Sequence, residues 1–168
     1  MTKREKIAKL ARKEVSNNSL YLWGGQGEEV MKTPPETIKK KETSSANAGR
    51  VLKCLANKLT CETNMTKARY FDCSGLVVDI LRTLEVIAKD ADFTAQGIYK
   101  SLCVPVLLAD LKEGDLCFIS TGGKITHVGV YVGEREVVES AGRDLGVVKR
   151  GMSKNSWNIY GRVKLSEK

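Results

Sequence analysis

Apolar residues recur at helical spacing in the opening segment. Ile7, Leu10, Ala11 and Val15 share one face between Thr2 and Ser16, while Lys and Arg fill the other faces. The polar cluster Ser16-Asn17-Asn18-Ser19 predicts its end. From Gln26 to about Ala46 the chain is polar, carries Pro34-Pro35 and Lys39-Lys40-Lys41, and reads as a loop or insertion. Val51, Leu52, Leu55 and Leu59 then predict a helix over Ala46 to Leu59. The strongest pattern lies between Asp72 and Ile87, where Leu76, Val77, Ile80, Leu81 and Leu84 form a stripe wide enough for a buried helix. A further short helix fits Thr94 to Leu102.

After Pro105 the period changes. Asp115–Ser120, Thr126–Gly133, Glu136–Ser140, Gly146–Arg150 and Trp157–Val163 are short apolar runs separated by Gly or charged turns. They predict the strands of one antiparallel sheet. Helices first and strands afterwards imply an α+β domain rather than alternating βαβ units.

Two residues in this framework carry chemistry. Cys73 opens the strongest helix, in Phe71-Asp72-Cys73-Ser74-Gly75-Leu76. Free amides and the dipole at a helix N-terminus stabilise a thiolate, and a nearby imidazolium adds to that. His127, the only histidine, opens a strand in Thr126-His127-Val128-Gly129-Val130-Tyr131-Val132-Gly133. Read singly, the Cys is a small packing residue and the His a structural one; Asp72 is a helix cap.

Together with their neighbours these residues resemble the NlpC/P60 cysteine peptidases, which cleave bacterial cell-wall peptides. Tyr21-Leu22-Trp23-Gly24-Gly25 resembles the family's Tyr-x-Trp-Gly-Gly, and Asp72-Cys73-Ser74-Gly75-Leu76-Val77 matches its Asp-Cys-Ser-Gly-Leu-Val. Leu111-Lys112-Glu113-Gly114-Asp115-Leu116 resembles Leu-x-Pro-Gly-Asp-Leu, with Glu113 in place of Pro. His127-Val128-Gly129-Val130-Tyr131-Val132-Gly133 matches His-Val-Gly-Ile-Tyr-Val-Gly. The four blocks stand in the family's order and span about Val15 to Lys164.

The resemblance implies a papain-like fold in which the nucleophile helix packs on an antiparallel sheet. It makes Cys73 the nucleophile and His127 the general base. The family's third residue, often His, orients the imidazole from the next strand; the matching position is Glu139, with Ser140 and Asp144 as other possible orienters. The Cys73 N–H and the Tyr21 hydroxyl become candidate oxyanion donors, and Asp72 and Ser74 candidate contacts to the free amine of the stem peptide. Gln96 and the Gly114-Asp115 turn read as structural.

Strand geometry sets a condition on Glu139. A two-residue turn at Glu134-Arg135 would pair Val130 with Glu139 and turn Glu139 away from His127. A turn centred on Gly133, or one bulge, would put both on one face.

Composition narrows the picture further. The 168 residues suit one catalytic domain, 1–168, interrupted by an insertion at about 26–69 that could wall the cleft. One His and loosely spaced Cys exclude a zinc finger or Cys-His metal cluster. The five Cys are odd in number, so reduced thiols are expected: Cys73 as nucleophile, and Cys54, Cys61, Cys103 and Cys117 as packing residues. The formal charge of +8 comes from scattered Lys and Arg without a nucleic-acid motif, and attraction to anionic wall polymers is the family-consistent reading. No apolar run approaches the ~20 residues of a membrane span.

Neither a secretory signal peptide nor wall-binding repeats are recognisable, which suggests cytoplasmic synthesis and phage-type release or delivery to the wall. The expectation is therefore a monomeric thiol hydrolase with no metal or organic cofactor. Its partner is the peptidoglycan stem peptide, not nucleic acid, and it makes no stable membrane insertion. The family resemblance implies that the preferred bond joins D-Glu to the diamino acid. The alternatives are an N-acetylmuramoyl-L-alanine amidase or another thiol acyl-transfer enzyme on the same fold, and a non-enzymatic phage structural protein with a relict site.

Overall fold

A computed structural model describes residues 1–166. Helix α1 (Lys3–Ser16) starts at a capping box formed by Thr2 and Glu5. It stops where Asn18 takes a left-handed conformation (φ 61°) and the Ser19 N–H reaches back to the Glu14 carbonyl. Its buried face, Ile7, Ala8 and Ala11, packs on helix α4 (Cys73–Thr83) and the main sheet.

Helix α4 buries Leu76, Val77, Val78, Ile80 and Leu81. It is shorter than its apolar stripe because Glu85 adopts φ 54° and the Val86 N–H closes back on the Leu81 carbonyl. Leu84, Val86 and Ile87 still pack on the core from outside the helix. The stretch Thr94–Leu102 is one helical turn, α5 (Ala95–Gly97), continued by a wider turn over Ile98–Leu102.

The main sheet has six strands, all antiparallel to their neighbours, in the order β4-β9-β5-β6-β7-β8. These are β4 (Cys103–Pro105), β5 (Leu116–Thr121), β6 (Lys124–Tyr131), β7 (Glu136–Ser140), β8 (Val147–Gly151) and β9 (Ile159–Val163). Five lie where the alternating runs place them; β4 was not anticipated. Phe118, Val128, Val130 and Val138 from this sheet join the α1 and α4 residues in one core. The α+β expectation therefore holds.

The 26–46 region is not the loop its polarity suggests. It holds strand β2 (Gln26–Glu29), a short turn of helix (Val30–Lys32) and helix α2 (Pro35–Lys41), followed by α3 (Ser45–Thr60). β2 is polar because it lies at the edge of a second sheet, ordered β1-β3-β2, with β1 (Leu20–Tyr21) parallel and β2 antiparallel to β3 (Arg69–Phe71). α2 buries only Ile38, too little for a periodic signal. Its legible marks were Pro35 in the first turn and lysines in the last. Leu20, Leu22, Val30, Ile38, Ala48, Val51, Met65 and Tyr70 form a second core that ties this region to β1 and β3.

Candidate active site

Asp72 starts the site by capping α4. Its Oδ1 accepts from the Gly75 N–H at 2.7 Å and from the Ser74 hydroxyl at 3.3 Å, and its Oδ2 accepts from the Gly24 N–H at 3.1 Å. Burial raises the Asp72 pKa, and these donors oppose the rise. One carboxylate thus joins the Trp23-Gly24-Gly25 turn to the helix that begins with Cys73. The approach is close enough that a Cβ on Gly75 would sit 2.0 Å from the Gly25 carbonyl oxygen, so only glycine fits there.

Opposite this helix end, β6 carries His127. Its Nε2 lies 3.1 Å from Glu139 Oε1. The hairpin explains how. Val130 pairs with Val138 and Tyr131 with Val137, leaving a three-residue loop, Gly133-Glu134-Arg135. The regular two-residue turn is absent. The loop is centred on Glu134 rather than on Gly133, and all three residues have positive φ. Extending this register puts Glu139 on the face of His127, one diagonal step away. A bulge between β5 and β6, after Ile119 pairs with His127, further re-aims the strand.

Glu139 is 1% exposed. Besides His127, its Oε1 accepts from Asn155 Nδ2 at 3.0 Å and Arg150 Nη2 at 3.2 Å. Burial alone would raise its pKa, but His127, Arg150 and Asn155 together hold it below the usual carboxylate range. Burial likewise opposes charge on His127, yet Cys73 and Glu139 outweigh it and the imidazole pKa rises to about 9. With Nε2 engaged by Glu139, Nδ1 is the nitrogen left to serve the thiol. Trp157 stacks on the ring, with centroids 5.3 Å apart and planes at 19°, and shields it from water.

The other candidates are placed as follows. Ser140 is buried and donates to the Phe71 carbonyl at 2.7 Å, and Asp144 pairs with Arg50 on the surface, so neither orients the imidazole. Tyr21 is half-buried. Burial, with Cys73 and Asp72 nearby, pushes its hydroxyl pKa up to about 12. Gln96 accepts from the Ile125 N–H at 3.2 Å, a link between α5 and β6. Cys103 and Cys117 are buried with thiols pushed up to about 12, and Cys54 is half-buried. Cys61 is exposed at the end of α3, contrary to the packing role expected of it.

Arg150, Asn155 and Trp157 were not singled out from the sequence. Arg150 lies two residues beyond Val148, the cross-strand partner of Glu139, and therefore on the same sheet face, a register that only the β7–β8 pairing supplies. Asn155 and Trp157 lie in irregular chain, and no sequence pattern marked any of the three.

Residues 57–162 match the profile described as NlpC/P60 family. The chain belongs to the NlpC/P60 family. Murein DD-endopeptidase MepH of Escherichia coli (strain K12) is 36% identical over 93 residues, which cover 54% of this chain and 34% of MepH. The chain thus corresponds to about a third of that relative's length. Among solved structures, the P60 domain of an antigen from M. avium subspecies paratuberculosis superposes with a TM-score of 0.57 at 17% identity, covering 95% of this chain and 96% of that one. NlpC2 from Trichomonas vaginalis gives a TM-score of 0.53 at 18% identity, covering 96% and 45%. These NlpC/P60 structures establish the fold. The family match starts inside α3, so the Tyr21–Gly25 block and α1 lie outside it.

Proposed function

We propose that this NlpC/P60 chain hydrolyses an amide bond in peptidoglycan stem peptides by a Cys73–His127–Glu139 thiol mechanism. The observation that carries the reading is the His127–Glu139 contact, 3.1 Å long and buried, at the helix end bearing Cys73. His127 takes the thiol proton, and the sulfur attacks the scissile carbonyl to give a tetrahedral oxyanion. The Cys73 N–H and the Tyr21 hydroxyl donate to that oxygen. Collapse breaks the C–N bond, and the imidazolium gives its proton to the leaving amine. Water, deprotonated by His127, then cleaves the thioester and restores the thiol. Glu139 holds the ring and its charge throughout. Asp72, which also caps α4, and Ser74 receive the free amine of the peptide.

The proposed scissile bond joins D-Glu to the diamino acid, as the motif resemblance implies. The partial relationship to a murein DD-endopeptidase favours a second reading, cleavage between two D-configured centres. Residues 1–168 act as one catalytic unit, with 26–69 as a built-in wall of the site. Digestion of purified peptidoglycan by wild type and Cys73→Ala, with fragments identified by mass, tests both bonds and separates them from muramoyl-alanine amidase activity. Wild type should release fragments and Cys73→Ala none. No release from several wall chemotypes overturns the proposal.

A further inference from the structure

Arg143 lies in the turn between β7 and β8, beside the proposed cleft. Its guanidinium carbon is 5.3 Å from the centroid of the Tyr21 ring. Its Nε donates to Glu42 Oε2 at 2.7 Å. Glu42 caps α2, its side chain is 0% exposed, and its other oxygen accepts from the Trp23 N–H at 2.8 Å. One buried carboxylate from the 26–69 stretch therefore fixes both the aromatic turn and the cation. A second pair from that stretch, Arg50–Asp144, holds the adjacent residue of the same turn.

The Glu42 contact uses only Nε. The Nη1 and Nη2 nitrogens have no protein acceptor among the described residues, and neither is a buried orphan. They are accessible donors on a fork that is already oriented. Tyr21, over which Arg143 lies, also feels the charges of Cys73 and Asp72 through space, so the guanidinium is on the Cys73 side of the aromatic turn. A preorganised guanidinium with open Nη donors is suited to a carboxylate, and recognises a carboxamide less well.

We propose that Arg143, locked by Glu42, binds a free carboxylate on the residue that supplies the scissile carbonyl of the substrate peptide. The inference rests on the peptidase reading above and names its specificity. In a γ-linked D-Glu the α-carboxylate remains free on the same residue as the carbonyl that is cut, separated from it by Cα and the two side-chain methylenes, and some walls carry it as the carboxamide. The 26–69 stretch then selects unamidated stem peptides by aiming one arginine.

The test uses two synthetic peptides, L-Ala-γ-D-Glu-diamino acid with the α-carboxylate free or amidated, titrated calorimetrically into the Cys73→Ala protein. The carboxylate form should bind at least about tenfold more tightly, as expected for one charge-assisted pair. The preference should fall below about threefold when Arg143→Gln and Glu42→Gln are combined in that background, which removes both charges and leaves neither buried alone. If that combination does not fold by thermal unfolding, Arg143→Lys carries the test, because it keeps the charge and loses the fork; the preference should then drop at least about threefold. Equal binding of the two peptides, binding of neither, or a preference that survives the substitutions overturns the inference. Failure of the peptidase reading shows separately, as wild-type protein that releases nothing from peptidoglycan.

Discussion

The chemistry of a single imidazole organises the residue scale. Glu139 alone would hold a charged His127 tightly, but Arg150 and Asn155 share the same carboxylate oxygen and temper it. Removing Arg150 leaves the carboxylate less neutralised, so Arg150→Met should raise the His127 pKa above about 9, whereas Glu139→Gln should lower it. His127 is the only histidine, so one NMR titration reads both shifts; movement in the opposite direction would contradict this arrangement.

Activity should fall as pH rises through about 9, where the imidazolium needed by the leaving amine is lost. The stability contribution has the same sign. A folded pKa raised above the unfolded value stabilises the fold fully below about 6.5, and that stabilisation is lost as pH rises through about 9. His127→Ala should reduce turnover by a factor on the order of 10³ or more, and Glu139→Ala by less. The double variant should resemble His127→Ala, because the residues act as a unit.

At the scale of elements, one close approach joins helix α4 to the aromatic turn. Gly75 lets the Gly25 carbonyl rest on the first turn of α4. Gly75→Ala should cost about 3 kcal/mol or more in chemical denaturation, since backbone rather than a flexible side chain must move. In the second core, the Tyr70 hydroxyl is buried with no hydrogen-bond partner among the described residues. Tyr70→Phe should therefore stabilise the protein by about 1 kcal/mol, measured the same way.

For the molecule as a whole, the 26–69 stretch cannot be removed as a surface insertion. Its side chains share a core with Leu20, Leu22 and Tyr70, and its Glu42 reaches both the aromatic turn and Arg143 in the β7–β8 turn. Excision should remove β2 and Arg69 of β3, leave β1 and the rest of β3 without cover, and yield a protein that fails to fold, seen as loss of cooperative unfolding. Point substitution at Glu42 is the informative change instead. The exposure of Cys61 affects thiol chemistry too. Iodoacetamide should modify Cys61 as well as Cys73, so the single fast site expected of a nucleophile should be visible only in Cys61→Ser protein.

Motif order and periodicity determined which family the chain resembles, the helix that opens with Cys73, five of the sheet strands and the α+β class. These features depend on local pattern: apolar stripes, a cap, alternating strands. The His127–Glu139 contact required knowledge of the β6–β7 loop, whose third residue puts Glu139 on the same face as His127, and loop length is settled by the pairing of both strands rather than by either alone. Only tertiary structure decided that polar residues 26–46 are ordered, because β2 takes its stability from a neighbouring strand and α2 from a single buried Ile38. It likewise decided the partners of Glu139 and Arg143. Arg150, Asn155 and Glu42 converge from separate segments, and long-range contacts of that kind leave no periodic trace in the chain.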